Sequence, residues 1–271
     1  MRLLKGDEAP SVRLDRAVLE LAATQTPGLV IEPFLDQLNE LASQLGDRLR
    51  NFNDGRDFVE KAQRYLFEDL GFHGNDEDFF DPQNSFLNQV LARRTGIPIS
   101  LSVLYMEIAR RLAMPVFGIG LPRHFVVEFN DGNYATYVDP YGGRTLSAKE
   151  CFALAGARFA DLSLLRRLTK KEIVMRMLRN LHEAYLRKQD WARTVDTLDL
   201  FILGLTEDVS PHRSELASAH KRRGLFLMEL KRFQAARRDL EKYLELESAA
   251  ADREEILKQI QAIHHWLARV N

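Results

Sequence analysis

The sequence predicts an α+β domain followed by an all-α module. Three observations predict this order. Apolar residues recur at helical spacing from Ser11 to Leu70, short strand-like segments with a hairpin turn lie near the middle of the chain, and only helical patterns follow Leu165. A buried helix followed by an antiparallel sheet is typical of the α+β class. We expect two domains, residues 1–165 and 166–271.

The N-terminal region contains three predicted helices, in LDRAVLELAA, EPFLDQLNELASQLGDRLRNF and FVEKAQRYLFEDLGF. Gly71 follows the third, where glycine favours a helix C-terminus. Asn84 or Ser85 is the predicted N-cap of a fourth helix, FLNQVLARR, which Gly96 ends. Pro98 opens the next helix, because proline fits a first helical turn. A continuous apolar face predicts that this helix is buried, with Leu101, Leu104, Tyr105, Ile108 and Leu112 on that face.

The periodicity then changes to that of a sheet. VFGIGL and HFVVEF are rich in β-branched and aromatic residues, NDGN is a strong hairpin turn, and YATYVDPYGG is the predicted returning strand. His124 opens one strand and Asp139 ends the next. Antiparallel neighbours face each other across such a turn, so the carboxylate can hold the imidazole in one tautomer. This pair is the orienting half of a nucleophile–His–Asp system.

Two C-terminal segments are similar to each other, AYLRKQDWARTVDTLDLFI and LFLMELKRFQAARRDLEKYL. Aligned on Trp191 and Phe233, they lie 42 residues apart (191 to 233), more than the about 34-residue period of tetratricopeptide repeats. We attribute the surplus to an extended connection through LTEDVSPHRSEL. Gly224 stands where a small residue lets the two helices of a repeat approach, and EILKQIQAIHHWLARV is the predicted capping helix.

The middle of the chain resembles the papain-like, transglutaminase-type superfamily. In that superfamily a G-x-Cys begins a buried helix, a histidine starts a later strand and an Asp-Pro closes the next one. The resemblance narrows to the SirB-one family on LFEDLGFHGN, FFDPQNSFLNQVLARRTGIPISLSVLYMEIARRL, GLPRHFVVEF and VDPYGGRTLS. It implies a transglutaminase-like core followed by tetratricopeptide repeats, and it covers the chain from about residue 12 to the end.

Two departures bear on function, one from the superfamily pattern and one from the SirB-one pattern. The G-x-Cys of the superfamily falls on Gly96-Ile97-Pro98, so the cysteine position holds a proline, which has no nucleophilic side chain. The SirB-one family usually reads P-G-H-F, where this chain has Pro122-Arg123-His124-Phe125. An arginine beside the histidine is expected to reshape access to the pocket or to bring positive charge to it.

The leading hypothesis is a non-catalytic protein that binds another protein. The pocket near His124 and the helical module would supply the recognition surfaces, and the candidate binding residues are Arg123, Asn84, Trp191 and Tyr185. The alternative is an acyl-transferring or amide-hydrolysing enzyme with Ser100 as nucleophile, His124 as base and Asp139 as orienting group. The helix N-terminus favours negative charge at Ser100. However, a residue two positions after Pro98 points about 200° around the helix from it, and a first-turn serine commonly satisfies backbone donors.

The helical module has two interpretations that the sequence leaves open. Repeat modules bind partners on concave surfaces, but two repeats can also simply cover the apolar flank of the first domain. Rows of basic residues are either a groove for an acidic peptide or a solvated helix face. These rows contain Lys221, Arg222, Arg223, Lys231, Arg232, Arg237 and Arg238.

The acidic loop GFHGNDEDFFDPQNS suggests a cation site at first sight. Its oxygen- and nitrogen-bearing residues are His73, Asp76, Glu77, Asp78 and Asp81. Their spacing does not match an EF-hand loop, so we expect a solvated loop whose Phe79 and Phe80 pack against the core. We predict no metal and no cofactor.

Composition excludes several classes of protein. Lys+Arg 38 against Asp+Glu 39 gives a net charge of -1, which provides no electrostatic footprint for nucleic acid or for an anionic membrane. No apolar run is long enough for a membrane span or for the hydrophobic region of a signal peptide. The single cysteine, Cys151, excludes an internal disulfide and a multi-thiolate zinc site. We expect a cytoplasmic setting and a buried, unreactive thiol.

Overall fold

The structure, a computed structural model, describes residues 2–6, 9, 11–50, 54–157, 159–206 and 209–270. The helices are α1 Leu14–Gln25, α2 Glu32–Arg48, α3 Gly55–Gln63, α4 Leu87–Arg93, α5 Pro98–Arg111, α6 Ala148–Leu154, α7 Lys170–Arg187, α8 Trp191–Leu205, α9 Val209–Glu229, α10 Phe233–Leu246 and α11 Arg253–Val270. The strands are β1 His73–Gly74, β2 Thr95–Gly96, β3 Val116–Ile119, β4 Val126–Asn130, β5 Ala135–Asp139 and β6 Arg144–Leu146.

The described residues form two compact units. One unit contains Glu8–Met177, and the other contains Leu178–Asn271 together with Arg2–Asp7. The division falls inside α7, whereas the boundary between residues 165 and 166 stays a prediction. The first unit combines helices with an antiparallel sheet and the second is helical, which confirms the predicted fold class of an α+β core and an all-α module.

The N-terminal helices of the first unit follow the predicted pattern. The apolar stripe of α2, with Leu35, Leu38, Leu41 and Leu45, is buried. The third helix continues beyond Gln63 as one π-helical stretch, Arg64–Asp69. It ends before Gly71, whose φ of 70° lies in the left-handed region that favours glycine.

The start of α4 differs from the prediction. Asn84 and Ser85 do not cap it, because both belong to a short 3₁₀ turn, Pro82–Ser85, that proline opens. The residue before α4 is Phe86, and no side chain caps the helix there. Sequence alone could not separate an N-cap from this turn, because both favour small polar residues.

The end of α4 also differs from the prediction. The helix ends at Arg93, and Arg94 takes the left-handed conformation with a φ of 56°. Gly96 lies two residues later, in β2, where it pairs with Gly74 of the parallel strand β1. A Cβ at Gly96 would lie 2.7 Å from the hydroxyl of Ser100, so glycine is required by this close approach rather than by helix termination.

Helix α5 forms the centre of the first unit, as its apolar face predicts. Leu101, Leu104, Tyr105 and Ile108 are each 1% exposed. The helix packs against α1, α2 and α4 and against strands β3 and β4. Its first turn is therefore anchored inside the core, and so is any side chain placed there.

The sheet contains β3, β4, β5 and β6 in that order, and each neighbouring pair is antiparallel. In the hairpin register, Val127 pairs with Val138 and Asn130 with Ala135. Strand β6 was not predicted, and neither was the isolated bridge between Ile119 and Arg167. Both segments are short and partly exposed, so they carry little hydrophobic periodicity.

The second unit contains helix pairs closed by a last helix. Trp191, at the start of α8, stacks on Phe226 of α9 with ring centroids 5.4 Å apart, and Phe233, at the start of α10, contacts Trp266 of α11 at 4.3 Å. Aligned positions of the two segments thus make equivalent contacts with the following helix. A Cβ at Gly224 would lie 2.9 Å from Leu240, so the close approach of α9 and α10 is as predicted.

The predicted extended connection between the two segments is wrong. Helix α9 begins at Val209, so most of LTEDVSPHRSEL is helical, while Glu207 and Asp208 lie outside the described residues. Pro211 belongs to the first turn of the helix, where proline is tolerated because its missing N–H would lack a partner in any case. The surplus over a regular repeat therefore lengthens α9.

Candidate functional site

His124 and Asp139 lie together, as predicted from the hairpin. Nε2 of His124 is 2.9 Å from Oδ1 of Asp139, and the two side chains are 15% and 5% exposed. A carboxylate that accepts from Nε2 fixes the tautomer with the proton on Nε2. Among the described residues, Nδ1 of this imidazole has no hydrogen-bond partner.

The histidine does not open the strand, contrary to the prediction. Strand β4 begins at Val126, and His124 lies in the turn before it. Arg123 is left-handed in this turn, with a φ of 61°, which bends the chain away from a strand conformation. Arg176 of α7 holds the turn in place because its guanidinium donates to the carbonyl oxygens of Leu121 and His124, the second at 2.6 Å.

Asp139 is fixed by the backbone that follows it. Its Oδ1 also accepts from the N–H of Tyr141 at 3.1 Å. A Cβ at Gly142 would lie 3.0 Å from Oδ2, so glycine leaves the carboxylate room to turn towards the imidazole. Pro140 and the glycines of the YGG motif therefore shape a turn that points the carboxylate at His124.

Tyr141 links this pair to the first turn of α5. Its ring lies edge-on to the imidazole with centroids 6.1 Å apart, and it also packs on Gly74, where any Cβ would collide with the ring. Gly74 in turn pairs with Gly96, two residues before α5. The tyrosine hydroxyl donates to Asp76 at 2.7 Å, and burial together with this hydrogen bond raises the pKa of Tyr141.

The first turn of α5 presents no nucleophile to the imidazole. Pro98 begins the helix and is buried. The hydroxyl of Ser100 is 0% exposed, donates to the carbonyl oxygen of Asn84 at 2.6 Å and accepts from the N–H of Ile97 at 3.1 Å. Within the described part of the chain, Ser100 makes no hydrogen bond with His124.

The sequence that builds this site has counterparts among known proteins. The family described as Transglutaminase-like superfamily matches residues 32–179, which is more than half of the chain and includes the whole site. The chain belongs to the transglutaminase-like superfamily.

Relatives extend the match beyond the transglutaminase-like domain. A UPF0162 protein of Xylella fastidiosa (strain 9a5c) is 38% identical over 194 residues, covering 68% of this chain and 66% of that protein, so the chain spans slightly less than two thirds of that relative. A UPF0162 protein of Vibrio cholerae is 25% identical over 97% of this chain and 96% of its own length. Human F-box only protein 21 is 35% identical over 157 residues, covering 53% of this chain and 25% of that protein.

Two candidate binding residues of the transglutaminase-like domain differ in their surroundings. Arg123 is exposed beside His124 and can contact a ligand. Asn84 is 0% exposed, and its candidate binding role stays a prediction. Its amide organises the acidic loop, because Nδ2 donates to the carbonyl oxygen of Asp78 at 2.7 Å and Oδ1 accepts from Asn75 at 3.1 Å.

The loop that Asn84 organises exposes two aromatic side chains, one of which contacts Tyr141. Phe79 and Phe80 are 38% and 36% exposed, so the prediction that they pack against the core is wrong. Their rings contact each other at 5.2 Å, and Phe79 contacts Tyr141 at 6.2 Å. The buried amide of Asn84 binds the backbone carbonyl group of Asp78. The aromatic rings that follow Asp78 lie at the surface of the transglutaminase-like domain.

The candidate binding residues of the helical unit pack against their own unit. Tyr185 is 2% exposed, and its candidate binding role stays a prediction. Trp191 is partly buried in its stack with Phe226. Both aromatic residues stabilise contacts between helices, a role that hydrophobic periodicity alone cannot distinguish from binding.

The remaining sequence features are the single cysteine, possible metal-binding groups and possible membrane-spanning helices. Cys151 is 0% exposed, and burial raises the pKa of its thiol to about 11. No group of three or more histidine, cysteine, aspartate or glutamate side chains in the described ranges is arranged to hold a metal ion. No helix of the described residues is both long enough and apolar enough to cross a membrane.

Sequence reasoning missed several residues that build the site. Tyr141 had a signal, because it follows Asp-Pro directly within VDPYGG. Arg176 had none, because it contacts the histidine turn from a helix 52 residues later in the chain. The sequence predicts a core position for Phe79 and Phe80, since large aromatic side chains are more often buried than exposed.

Proposed function

We propose that this transglutaminase-like protein is non-catalytic and acts by binding another protein. One observation supports the proposal: the His124–Asp139 pair is assembled, while Pro98 begins the central helix, at the position where the pattern of the transglutaminase-type superfamily implies a cysteine. A base and its orienting carboxylate need a nucleophile within hydrogen-bond reach to perform covalent catalysis.

The alternative with Ser100 as nucleophile is not favoured by its hydrogen bonds. The hydroxyl gives its proton to the carbonyl oxygen of Asn84, in a site that solvent does not reach. Activation by His124 would require that bond to break and the side chain to turn around the helix. The serine instead joins the turn before α4 to the start of α5.

The surface beside the imidazole is suited to recognition. Aromatic side chains and arginines are enriched in protein interfaces. Arg123 is exposed next to His124 in the chain, and the exposed Phe79 and Phe80 are connected to His124 through the ring of Tyr141. The helical unit supplies a second surface. We assign its helix pairs to the tetratricopeptide type and the chain to the SirB-one family, in a cytoplasmic setting, on the repeated aromatic contacts and on the quoted motifs.

Two experiments test the proposal. The pure protein is assayed for acyl transfer and peptide hydrolysis and is treated with a fluorophosphonate probe, with His124→Ala and Ser100→Ala as controls. We expect no activity and no labelling. An activity that His124→Ala abolishes, or labelling that Ser100→Ala removes, contradicts the proposal and restores the serine enzyme.

The binding role is tested by affinity purification of the tagged full chain from its native cells. We expect a defined partner to copurify with the wild type and to be lost with Phe79→Ser, a substitution at a side chain that is already exposed. Glu77→Gln, at another exposed position of the same loop, is the matched control. A partner set that does not respond to substitutions of either recognition surface contradicts the proposed role.

A further inference from the structure

A small pocket of about 220 Å³ lies in the helical unit among α7, α8 and α9. Leu178, Leu198 and Phe201 provide its apolar wall. Its charged lining residues are Arg179, Glu183 and Arg222. The volume is of the size of one amino-acid side chain, so the pocket cannot enclose a large ligand.

Two of the three charges in the lining are already compensated. Arg179 donates to Glu215 at 2.7 Å, and Glu183 accepts from Arg187 at 2.7 Å. Arg222 is different, because no carboxylate of the described residues forms an ion pair with it. Glu183 is close enough to act on Arg222 electrostatically, but the guanidinium makes no ion pair with a carboxylate of the described residues.

A buried hydrogen-bond chain holds this arginine in one direction. Thr197 donates its hydroxyl proton to the carbonyl oxygen of Thr194 at 2.8 Å, so its oxygen is available to accept from Nδ1 of His182 at 3.2 Å. Nε2 of His182 then accepts from the guanidinium of Arg222. Burial and the nearby charge of Arg222 lower the pKa of His182 to about 4, so the imidazole is the neutral acceptor that this chain requires.

An exposed arginine ordinarily has no such support. His182 is 8% exposed and Thr197 is 1% exposed, so polar groups are buried between helices in order to orient a cation at the rim of a pocket. A pre-oriented guanidinium loses little conformational freedom when it binds, and its planar array of N–H donors matches a carboxylate. The apolar wall suits the short aliphatic stem of an acidic side chain.

We propose that this pocket receives a glutamate or aspartate side chain of a partner protein, with its carboxylate paired to Arg222. The inference rests on the proposed protein-binding role and adds the chemistry of one contact. We infer an acidic side chain because the guanidinium of Arg222 makes no ion pair among the described residues, the pocket is small and one of its walls is apolar.

The test selects random eight-residue peptides on phage against the full chain and measures the affinity of synthetic, C-terminally amidated copies by fluorescence anisotropy. We expect an acidic residue at one fixed position of the selected peptides. Its replacement by the corresponding amide weakens binding about tenfold or more, as for the loss of a charge-assisted hydrogen-bond pair. Arg222→Gln produces the same loss, and the two changes together add little to either one.

Matched variants separate binding from folding. Arg238→Gln neutralises another exposed arginine of the helical unit outside the pocket and should leave the affinity unchanged. Arg222→Lys keeps the charge without the planar array of donors and should bind with intermediate affinity. Each variant is first checked for an unchanged melting temperature.

The outcomes distinguish the inference from the function on which it rests. Binding peptides without a fixed acidic residue, or peptides that bind Arg222→Gln as tightly as the wild type, overturn the inference and leave protein binding intact. A selection that yields no binding peptide overturns both the inference and the role of the helical unit.

Discussion

The buried imidazole of His182 makes the stability of the helical unit depend on pH. Its pKa falls from the ordinary 6.5 to about 4 because burial and the charge of Arg222 disfavour the imidazolium. As the pH falls through 6.5, the unfolded chain takes up a proton at this residue, whereas the folded chain stays neutral until about 4. The contribution is therefore complete above pH 6.5 and is lost progressively as the pH falls to the folded pKa.

The size of the effect follows from the two pKa values. One pKa unit corresponds to about 1.36 kcal/mol, so the difference between 6.5 and about 4 amounts to roughly 3 kcal/mol of unfolding free energy. His182→Gln removes the titration but retains an acceptor for Arg222 and a donor for Thr197. The difference between wild type and variant isolates this residue, because the carboxylates titrate equally in both proteins.

The assay is urea unfolding followed by tryptophan fluorescence between about pH 7 and pH 4. Both tryptophans of the chain, Trp191 and Trp266, belong to the helical unit, so the signal reports that unit. We expect the unfolding free energy of the wild type to fall by roughly 3 kcal/mol more than that of His182→Gln over this range. Parallel pH profiles would refute the buried, neutral imidazole and the hydrogen-bond chain that depends on it.

Other predictions concern backbone and packing. Arg123→Gly removes the strain of a left-handed arginine. The greater conformational entropy of glycine in the unfolded chain opposes this gain, and the net unfolding free energy should rise by about 1 kcal/mol. A lower melting temperature contradicts this. Gly224→Ala places a methyl group 2.9 Å from Leu240 and should destabilise the helical unit by about 1 kcal/mol, which unchanged tryptophan unfolding would disprove. Arg176→Met frees both carbonyl groups of the histidine turn and should lower the unfolding free energy by about 2 kcal/mol in calorimetry, whereas Arg179→Met is the neighbouring control on the same helix.

Much of the fold follows from local patterns in the sequence. Pro98 and the apolar face behind it define a buried helix, and the NDGN turn sets the register that brings His124 to Asp139. These features could be predicted because each depends on residues close together in the chain. The start of α9 could not be predicted in this way. Pro211 indicates a helix break unless it is known to lie in the first turn of a helix.

The roles of single polar side chains were harder to predict. Asn84 is a residue type that favours the N-cap position. Its amide instead forms hydrogen bonds with the preceding loop, because the fold brings Asn75 and Asp78 within reach. Ser100 has the side chain of a possible nucleophile and lies in the first turn of a helix. Its hydroxyl instead donates a hydrogen bond to the carbonyl oxygen of Asn84. Both assignments depend on contacts between distant residues, which periodicity does not encode.

The central claim is that the imidazole and its carboxylate are assembled, while the first turn of α5 begins with a proline and offers the imidazole no thiol. Pro98→Cys tests it most directly, through the rate of alkylation by iodoacetamide near neutral pH. The native protein should react slowly, because Cys151 is buried and its pKa is raised to about 11. Position 98 is buried, so the new thiol is compared with the same thiol in a His124→Ala background and not with a free peptide. We predict slower alkylation in the His124→Ala background, since an imidazole within reach of the thiol favours the thiolate. Equal rates in the two backgrounds would contradict the claim.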